Sequence, residues 1–391
     1  MSELKNIYYR LCMSSVFCDV LKAPLFKHFE SFCSKEETSD KIKAYALFVS
    51  EIYKQGGSLT ELVKKLVFED ENVYVKSRAW SYPIDNAIIT AVENELLALR
   101  DFAALTPEDF KKDLGGIDYI SPFKSEKCDL IALYEHQVEN VDKYGYGMFS
   151  SYPMFRLSDE KAIEPIKSAD KTDMKDFVGY QDERSKVIAN TEAFLAGRPA
   201  ANALLCGDAG TGKSSTVKAI TNYFFKSGLR LIELRKDQLS LLPYVMGKIN
   251  DNPLKFIIFI DDLSFNKSDD NFSMLKAALE GSASAKSDNA VIYATSNRRH
   301  IVKESFQDRE GSDVHINDTI QETLSLSERF GLVVLFKKPS KQLYLDIVHE
   351  LASRFDVKMP ESELDIQAEA FALRRGIRSA RCAEQFIKSL L

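Results

Sequence analysis

Residues Ala203 to Val217 read ALLCGDAGTGKSSTV. A short apolar run ends at Gly207, a glycine-rich loop follows, and Lys213, Ser214 and Ser215 open a segment of helical character. Strand, Gly-x-x-x-x-Gly-Lys-Ser and helix in that order are the P-loop of nucleoside triphosphatases. Backbone N–H groups must converge on a phosphate, so the loop needs positions where a missing side chain lets the main chain approach and adopt positive φ. Gly207, Gly210 and Gly212 supply them, with Asp208, Ala209 and Thr211 between. The helix opening at Lys213 turns its positive dipole end and unpaired N–H groups toward the same anion. Lys213 would then reach the β- and γ-phosphates, and Ser214 would offer its hydroxyl to Mg²⁺. The alternative is an ordinary glycine-rich turn, which the flanking strand and helix disfavour.

A Mg-nucleotide also needs a carboxylate across from the loop, held at the end of a buried strand. Lys255 to Asp262 reads KFIIFIDD, an apolar run without alternation that suits a strand covered on both faces of a parallel sheet. Asp261 is the candidate for orienting Mg²⁺, and Asp262 for polarising an attacking water as general base. A solvated turn or a helix cap would use the same residue pair. Strands are expected at Asn202 to Cys206, Leu229 to Leu234, Lys255 to Asp262, Ala290 to Thr295 and Leu332 to Phe336, with helices between them. Strands alternating with helices predict a P-loop NTPase fold of the α/β class: a five-stranded parallel sheet flanked by helices, with ligands at the strands' carboxyl ends.

Residues 1 to 145 read as an all-helical domain. Ile7, Leu11, Cys18, Leu21 and Leu25 recur at helical spacing, as do Ile42, Tyr45, Val49 and Ile52. Ser58 with Glu61 caps a further helix, and Thr106 and Pro107 open one that Gly115 and Gly116 close. Such stripes are core, and no chemistry is read from them. Residues 146–175, with Gly147, Pro153 and Pro165 among Ser, Asp and Lys, read as a linker. The ATPase core is expected over 176–338 and a helical lid over 339–391.

The chain of 391 residues is 45% hydrophobic and 28% charged, the composition of a soluble globular protein. A net charge of −6 argues against wholesale nucleic-acid binding without excluding local basic patches. No apolar run approaches the roughly 18 residues that span a bilayer, so no membrane role is expected. Glu3, Asp19 and Lys22 break up a signal-peptide pattern. The six cysteines form no Cys-x-x-Cys pair, and a reducing, cytoplasmic setting is the default expectation.

From about residue 176 onward the chain resembles AAA+ ATPases, and more closely a bacterial family known only by a domain-of-unknown-function label. The likeness rests on DFVGY at 176–180, GDAGTGKSS, KFIIFIDDLSF, IYATSNRRH at 292–300, LSLSERFGL at 324–332 and RRGIRSAR at 374–381. It implies that Val178, Gly179 and Tyr180 pack near adenine, favouring ATP, and that Asn297 positions the attacking water. It implies that Arg329 is the arginine finger inserted into a neighbour's site, making the active enzyme a homo-oligomer with composite sites. A guanidinium fork suits that role because it can neutralise γ-phosphate charge. Arg378 matches the lid arginine that contacts nucleotide, with Arg374, Arg375 and Arg381 crowding the same stretch. Most AAA+ proteins carry Asp-Glu where this chain has Asp261 and Asp262, and the shorter carboxylate predicts slow hydrolysis.

The expected function is therefore an ATPase that hydrolyses ATP to ADP and phosphate with Mg²⁺ to drive conformational change on a protein or nucleic-acid partner. The alternative is a nucleotide-gated binding module or loader with weak or no hydrolysis. DNA is a third candidate partner: Arg298, Arg299, His300 and Lys303 cluster, and 374–391 carries five basic residues against one acidic.

Overall fold

The computed structural model describes residues 2–115, 117–170, 172–263, 275, 279, 288–297 and 329–391. Gly116, the cluster Arg298 to Lys303, and the motif residues 264–265, 298–300 and 324–328 lie outside them. Two compact units divide the chain, Met1–Ser151 and Tyr152–Leu391.

The first unit is built from helices α1 (Glu3–Cys12), α2 (Pro24–Ser34), α3 (Thr38–Lys54), α4 (Leu59–Phe68), α5 (Val73–Ala79), α6 (Asn86–Ala103), α7 (Pro107–Leu114), α8 (Leu130–Glu139), α9 (Val141–Tyr144) and α10 (Met148–Ser151). Ser58 Oγ accepts from Glu61 N at the start of α4, and Gly115 closes α7 in the left-handed region. The helical periodicity of 7–25 does not make one helix: Pro24 occupies the first turn of α2, where its missing N–H removes no bond. The loop between α1 and α2 is anchored by Glu95 of α6. Its buried carboxylate accepts from Ser15 N at 2.8 Å, Ser15 Oγ at 2.9 Å, Val16 N at 3.0 Å and Phe17 N at 2.9 Å. The core is aromatic, with Phe29 and Phe102 ring centroids 4.8 Å apart and Phe48 and Phe110 5.1 Å apart.

The second unit holds the sheet: β1 (Met154–Leu157), β2 (Ile163–Pro165), β3 (Ala203–Gly207), β4 (Leu229–Leu234), β5 (Lys255–Ile260), β6 (Ala290–Ser296) and β7 (Leu332–Phe336). Their order is β2-β1-β4-β5-β6-β3-β7, parallel except for β1 with β2. The α/β P-loop fold is as expected, but the sheet has seven strands rather than five. The extra pair comes from the stretch read as a linker. Met154, Phe155 and Leu157 are buried and only Arg156 is exposed, and β1 pairs with β4 at Phe155↔Ile232. Only four and three residues long, these strands carry too little periodicity to stand out beside Gly and Pro.

Helices α11 (Gln181–Leu195), α12 (Lys213–Tyr223) and α13 (Leu242–Ile249) accompany the sheet. The lid is α14 (Lys341–Arg354), α15 (Glu361–Arg375) and α16 (Ala380–Lys388), around Tyr344, Val348, Ala368 and Phe386. No helix among the described residues is long and apolar enough to cross a membrane.

Candidate nucleotide-binding site

Gly207 ends β3 against β7. Its φ is +138°, and a Cβ there would lie 2.0 Å from Phe336 O, so both the conformation and the contact require glycine. Asp208, Ala209 and Gly210 carry the turn, and Thr211 Oγ1 braces it by donating to Asp208 O at 2.9 Å. Gly212, at φ +88°, is the N-cap of α12. Lys213 follows as the first helical residue, 5% exposed. Its three ammonium donors go to Gly207 O at 3.0 Å, Asp208 O at 2.8 Å and Asn297 Oδ1 at 2.9 Å. Burial pulls the Lys213 pKa below its ordinary value, and nearby carboxylates oppose that.

Sheet order brings the acidic end of the site to this lysine. β6 lies between β3 and β5, with Cys206 opposite Ser296 and Ile260 opposite Ala294. The residues just past those pairs therefore converge across three strands. Ser214 Oγ donates to Asp261 Oδ1 at 2.6 Å, and Thr295 Oγ1 donates to the same oxygen at 2.5 Å. Asp262 N donates to Thr295 Oγ1 at 2.9 Å. A hydroxyl in contact with a carboxylate is a pair of hard oxygen donors, the chemistry that suits Mg²⁺.

Asp262 is exposed and has φ +53°, a conformation non-glycine residues rarely adopt. The turn aims its carboxylate at Asn297, whose Nδ2 donates to Asp262 Oδ1 at 2.7 Å. One orientation of the Asn297 amide satisfies both neighbours, because the ammonium can only donate and the carboxylate only accept. Lys213, Asn297 and Asp262 thus form one polar relay.

A cleft of about 460 Å³ opens beside the loop. It is lined by Gly210, Thr211, Gly212 and Ser215 on one side, Phe177, Val178, Tyr180 and Arg184 on another, and Ile347, Leu351, Arg354, Ala380 and Arg381 from the lid. Gly179 presses on the lid, where a Cβ would lie 2.4 Å from Leu343 Cδ1. Tyr180 is held by its hydroxyl, which donates to Lys337 O at 2.6 Å, and burial pushes its pKa up to about 12. Arg354 ties lid to core by donating to Asp176 O at 2.7 Å and Lys175 O at 2.9 Å.

Arg378 is not brought to the cleft. It makes a two-pronged pair with Glu369 of the lid, at 2.9 and 2.7 Å. Arg381 stands against the loop instead, its N donating to Gly210 O at 3.3 Å. Arg329 precedes β7 at Leu332, which pairs with Ala203, so its backbone lies at the end of β3 away from the loop. Of the basic residues in 374–391, Arg378 is paired with Glu369, Lys388 with Glu384 at 2.6 Å, and Arg374 and Arg375 lie over Phe371.

A family described as protein of unknown function, DUF815, matches residues 150–391, which begin just ahead of β1. The chain belongs to the DUF815 family. The likeness to an AAA+ family bearing such a label therefore stands, and the match extends the family's reach upstream to the two strands read as a linker. Among solved structures, the DUF815 chain is similar to the RuvB Holliday junction branch migration motor of Thermotoga maritima. The TM-score is 0.34 and the identity 13%, over 56% of this chain and 70% of that one. Another structure of the same protein gives 0.34 and 14%, over 56% and 70%. No curated protein matches the chain.

Thr295 and Arg184 escaped the sequence reading. Thr295 had a signal: two residues before Asn297, it falls on the same side of the strand's path. Arg184 had none, since a basic residue in the charged first turns of a helix reads as solvated.

Proposed function

We propose that this chain binds Mg-ATP at the loop and hydrolyses it to ADP and phosphate. The observation that carries this reading is the convergence of Lys213 Nζ, the Ser214–Asp261 contact and the Asn297–Asp262 contact at the carboxyl ends of β3, β5 and β6. Ser214 and Asp261 would hold Mg²⁺ directly or through water, and the ion would neutralise charge on the β- and γ-phosphates. Lys213 exchanges two backbone carbonyls and the Asn297 oxygen for phosphate oxygens. Asn297 orients the attacking water. Asp262 accepts the water's proton on a carboxylate oxygen as the water oxygen bonds to the γ-phosphorus and the bond to the β–γ bridging oxygen breaks.

Arg329 is assigned to a neighbouring copy's site. Its backbone position, several residues back from the loop along β7, supports action in trans over action on its own phosphate. The working assembly would be a homo-oligomer with sites between subunits, acting on a protein partner. DNA stays a weaker alternative partner: Arg378 and Lys388 pair with carboxylates within the lid, whereas Arg374 and Arg375 lie over Phe371.

The second reading is a nucleotide-gated binding module. The Asp262 carboxylate is short and engaged by Asn297, which favours slow turnover. Phosphate release by the purified chain, with Mg²⁺ and against a Lys213→Ala control, tests hydrolysis. Release no greater than the control's, with ATP still bound, would leave the binding-module reading.

A further inference from the structure

Among the described residues that line the cleft, Arg184 is the one buried charged side chain, and the proposed reaction leaves it unused. Arg184 is 5% exposed, and its guanidinium carbon sits 4.4 Å from the centroid of the Phe177 ring. Its Nη1 donates to Gly179 O, while its Nε is buried with no hydrogen-bond partner. Among the described residues no carboxylate bonds to it, and desolvation pulls its pKa down to about 10. An unmatched buried N–H on a cation is destabilising, so it requires a reason.

Lys213, Ser214, Asp261 and Asn297 do not line this cleft, whereas Gly210, Thr211 and Gly212 do. A nucleotide whose phosphates lie at Lys213 therefore extends over the loop and places its other end in the cleft. There it meets Phe177, Val178, Ile347 and Leu351, with Arg184 as the one buried cation. A planar guanidinium on an aromatic ring, among aliphatic side chains, is shaped for a flat heterocycle carrying in-plane acceptors.

We infer that Arg184, stacked on Phe177, is the residue that binds the nucleotide's base, donating to an acceptor atom of the heterocycle. This rests on the proposed nucleotide site and goes beyond it by assigning base recognition to one side chain. The interaction is absent from a ligand that has only phosphates, which separates the two claims.

The test measures affinities for Mg-ATP and for Mg-tripolyphosphate, which lacks base and ribose, in the wild-type chain and in Arg184→Met, Arg184→Lys and Lys213→Ala. Wild type should bind ATP more tightly than tripolyphosphate. Arg184→Met should weaken ATP about tenfold or more, as loss of a charge-assisted hydrogen bond implies, and leave tripolyphosphate within about twofold. Arg184→Lys should resemble the Met variant, because it keeps the charge but loses the planar fork. Equal loss for both ligands, or no loss for either, overturns the assignment while leaving the phosphate site standing. Should the Met variant fail to fold, the Lys variant and the wild-type ratio decide: equal wild-type affinities overturn the assignment alone. Binding of neither ligand by wild type overturns the nucleotide site itself.

Discussion

Replacing Thr295 with valine probes the acidic end of the site with almost no change of shape. The hydroxyl donates to Asp261 Oδ1 at 2.5 Å and accepts from Asp262 N at 2.9 Å, in a side chain only 2% exposed. Valine removes both bonds. Asp261 keeps Ser214 as donor, and Asp262 N keeps a longer contact to Asp261 Oδ1 at 3.1 Å. A hydrogen bond to an ionised group is worth about 1.5–3 kcal/mol, which corresponds to roughly 10- to 150-fold. The loss falls on the carboxylate that orients Mg²⁺ and on the turn that aims Asp262, so turnover should drop by about tenfold or more. Lys213 and the glycine loop are untouched, and ATP affinity should change by less than about threefold. Steady-state phosphate release across a Mg²⁺ titration, paired with equilibrium ATP binding, reads both quantities. Thr295→Ser keeps the hydroxyl and should restore most of the turnover. A valine variant within about twofold of wild type at every Mg²⁺ concentration, or a serine variant equally impaired, would refute the reasoning.

Further outcomes follow from the same geometry. Gly207→Ala would press a methyl group against Phe336 O at 2.0 Å and strain φ +138°; the melting temperature should fall as for a loss of more than about 2 kcal/mol. Arg381→Ala should lower nucleotide affinity, whereas Arg378→Ala, which breaks a partly exposed pair with Glu369, should leave affinity unchanged and shift stability by about 1 kcal/mol or less. Arg329→Ala should abolish turnover yet bind ATP, and mixing it with Lys213→Ala chains should restore activity, each supplying the half the other lacks. In the helical unit, burial pushes Asp70 up to about 6 against an opposing hydrogen bond from Asn72. The folded chain holds that proton to higher pH than the unfolded chain, so stability is lost as pH rises from about 4 through about 6, by at most about 3 kcal/mol. Asp70→Asn should flatten the pH dependence of melting over that window.

What was legible followed from chemistry that demands particular residues in sequence. A phosphate cradle requires glycines, a lysine and a hydroxyl at fixed spacing, and the strand ahead of Asp261 is apolar and buried from Phe256 to Ile260. Contacts set by strand order were harder to read. Nothing local says that β6 sits between β3 and β5, and it is that order which puts Thr295 beside Asp261. The lid arginines failed for a related reason: Arg378 and Arg381 are three residues apart, and Glu369, on another helix, decides which of them is occupied. At α1 and α2 the apolar spacing was real, but Pro24 and the Glu95 carboxylate split it.

The polar relay sharpens the meaning of aspartate at 262. Every donor of Lys213 is satisfied internally, and one of its acceptors is the amide oxygen of Asn297. The Asn297 amide nitrogen in turn holds Asp262. A γ-phosphate arriving at Lys213 competes for the ammonium that fixes this amide, so binding and release of Asp262 become one event in the proposed reaction. A glutamate, one methylene longer, would reach farther from the same backbone, whereas the left-handed turn at Asp262 directs the shorter side chain to Asn297. Asn297→Ala should therefore have two opposed effects, losing water orientation while freeing the base. If the freed carboxylate matters, Asp262→Glu should raise turnover in the wild-type background and raise it less when Asn297 is alanine. Equal gains in the two backgrounds would show that Asn297 does not restrain Asp262.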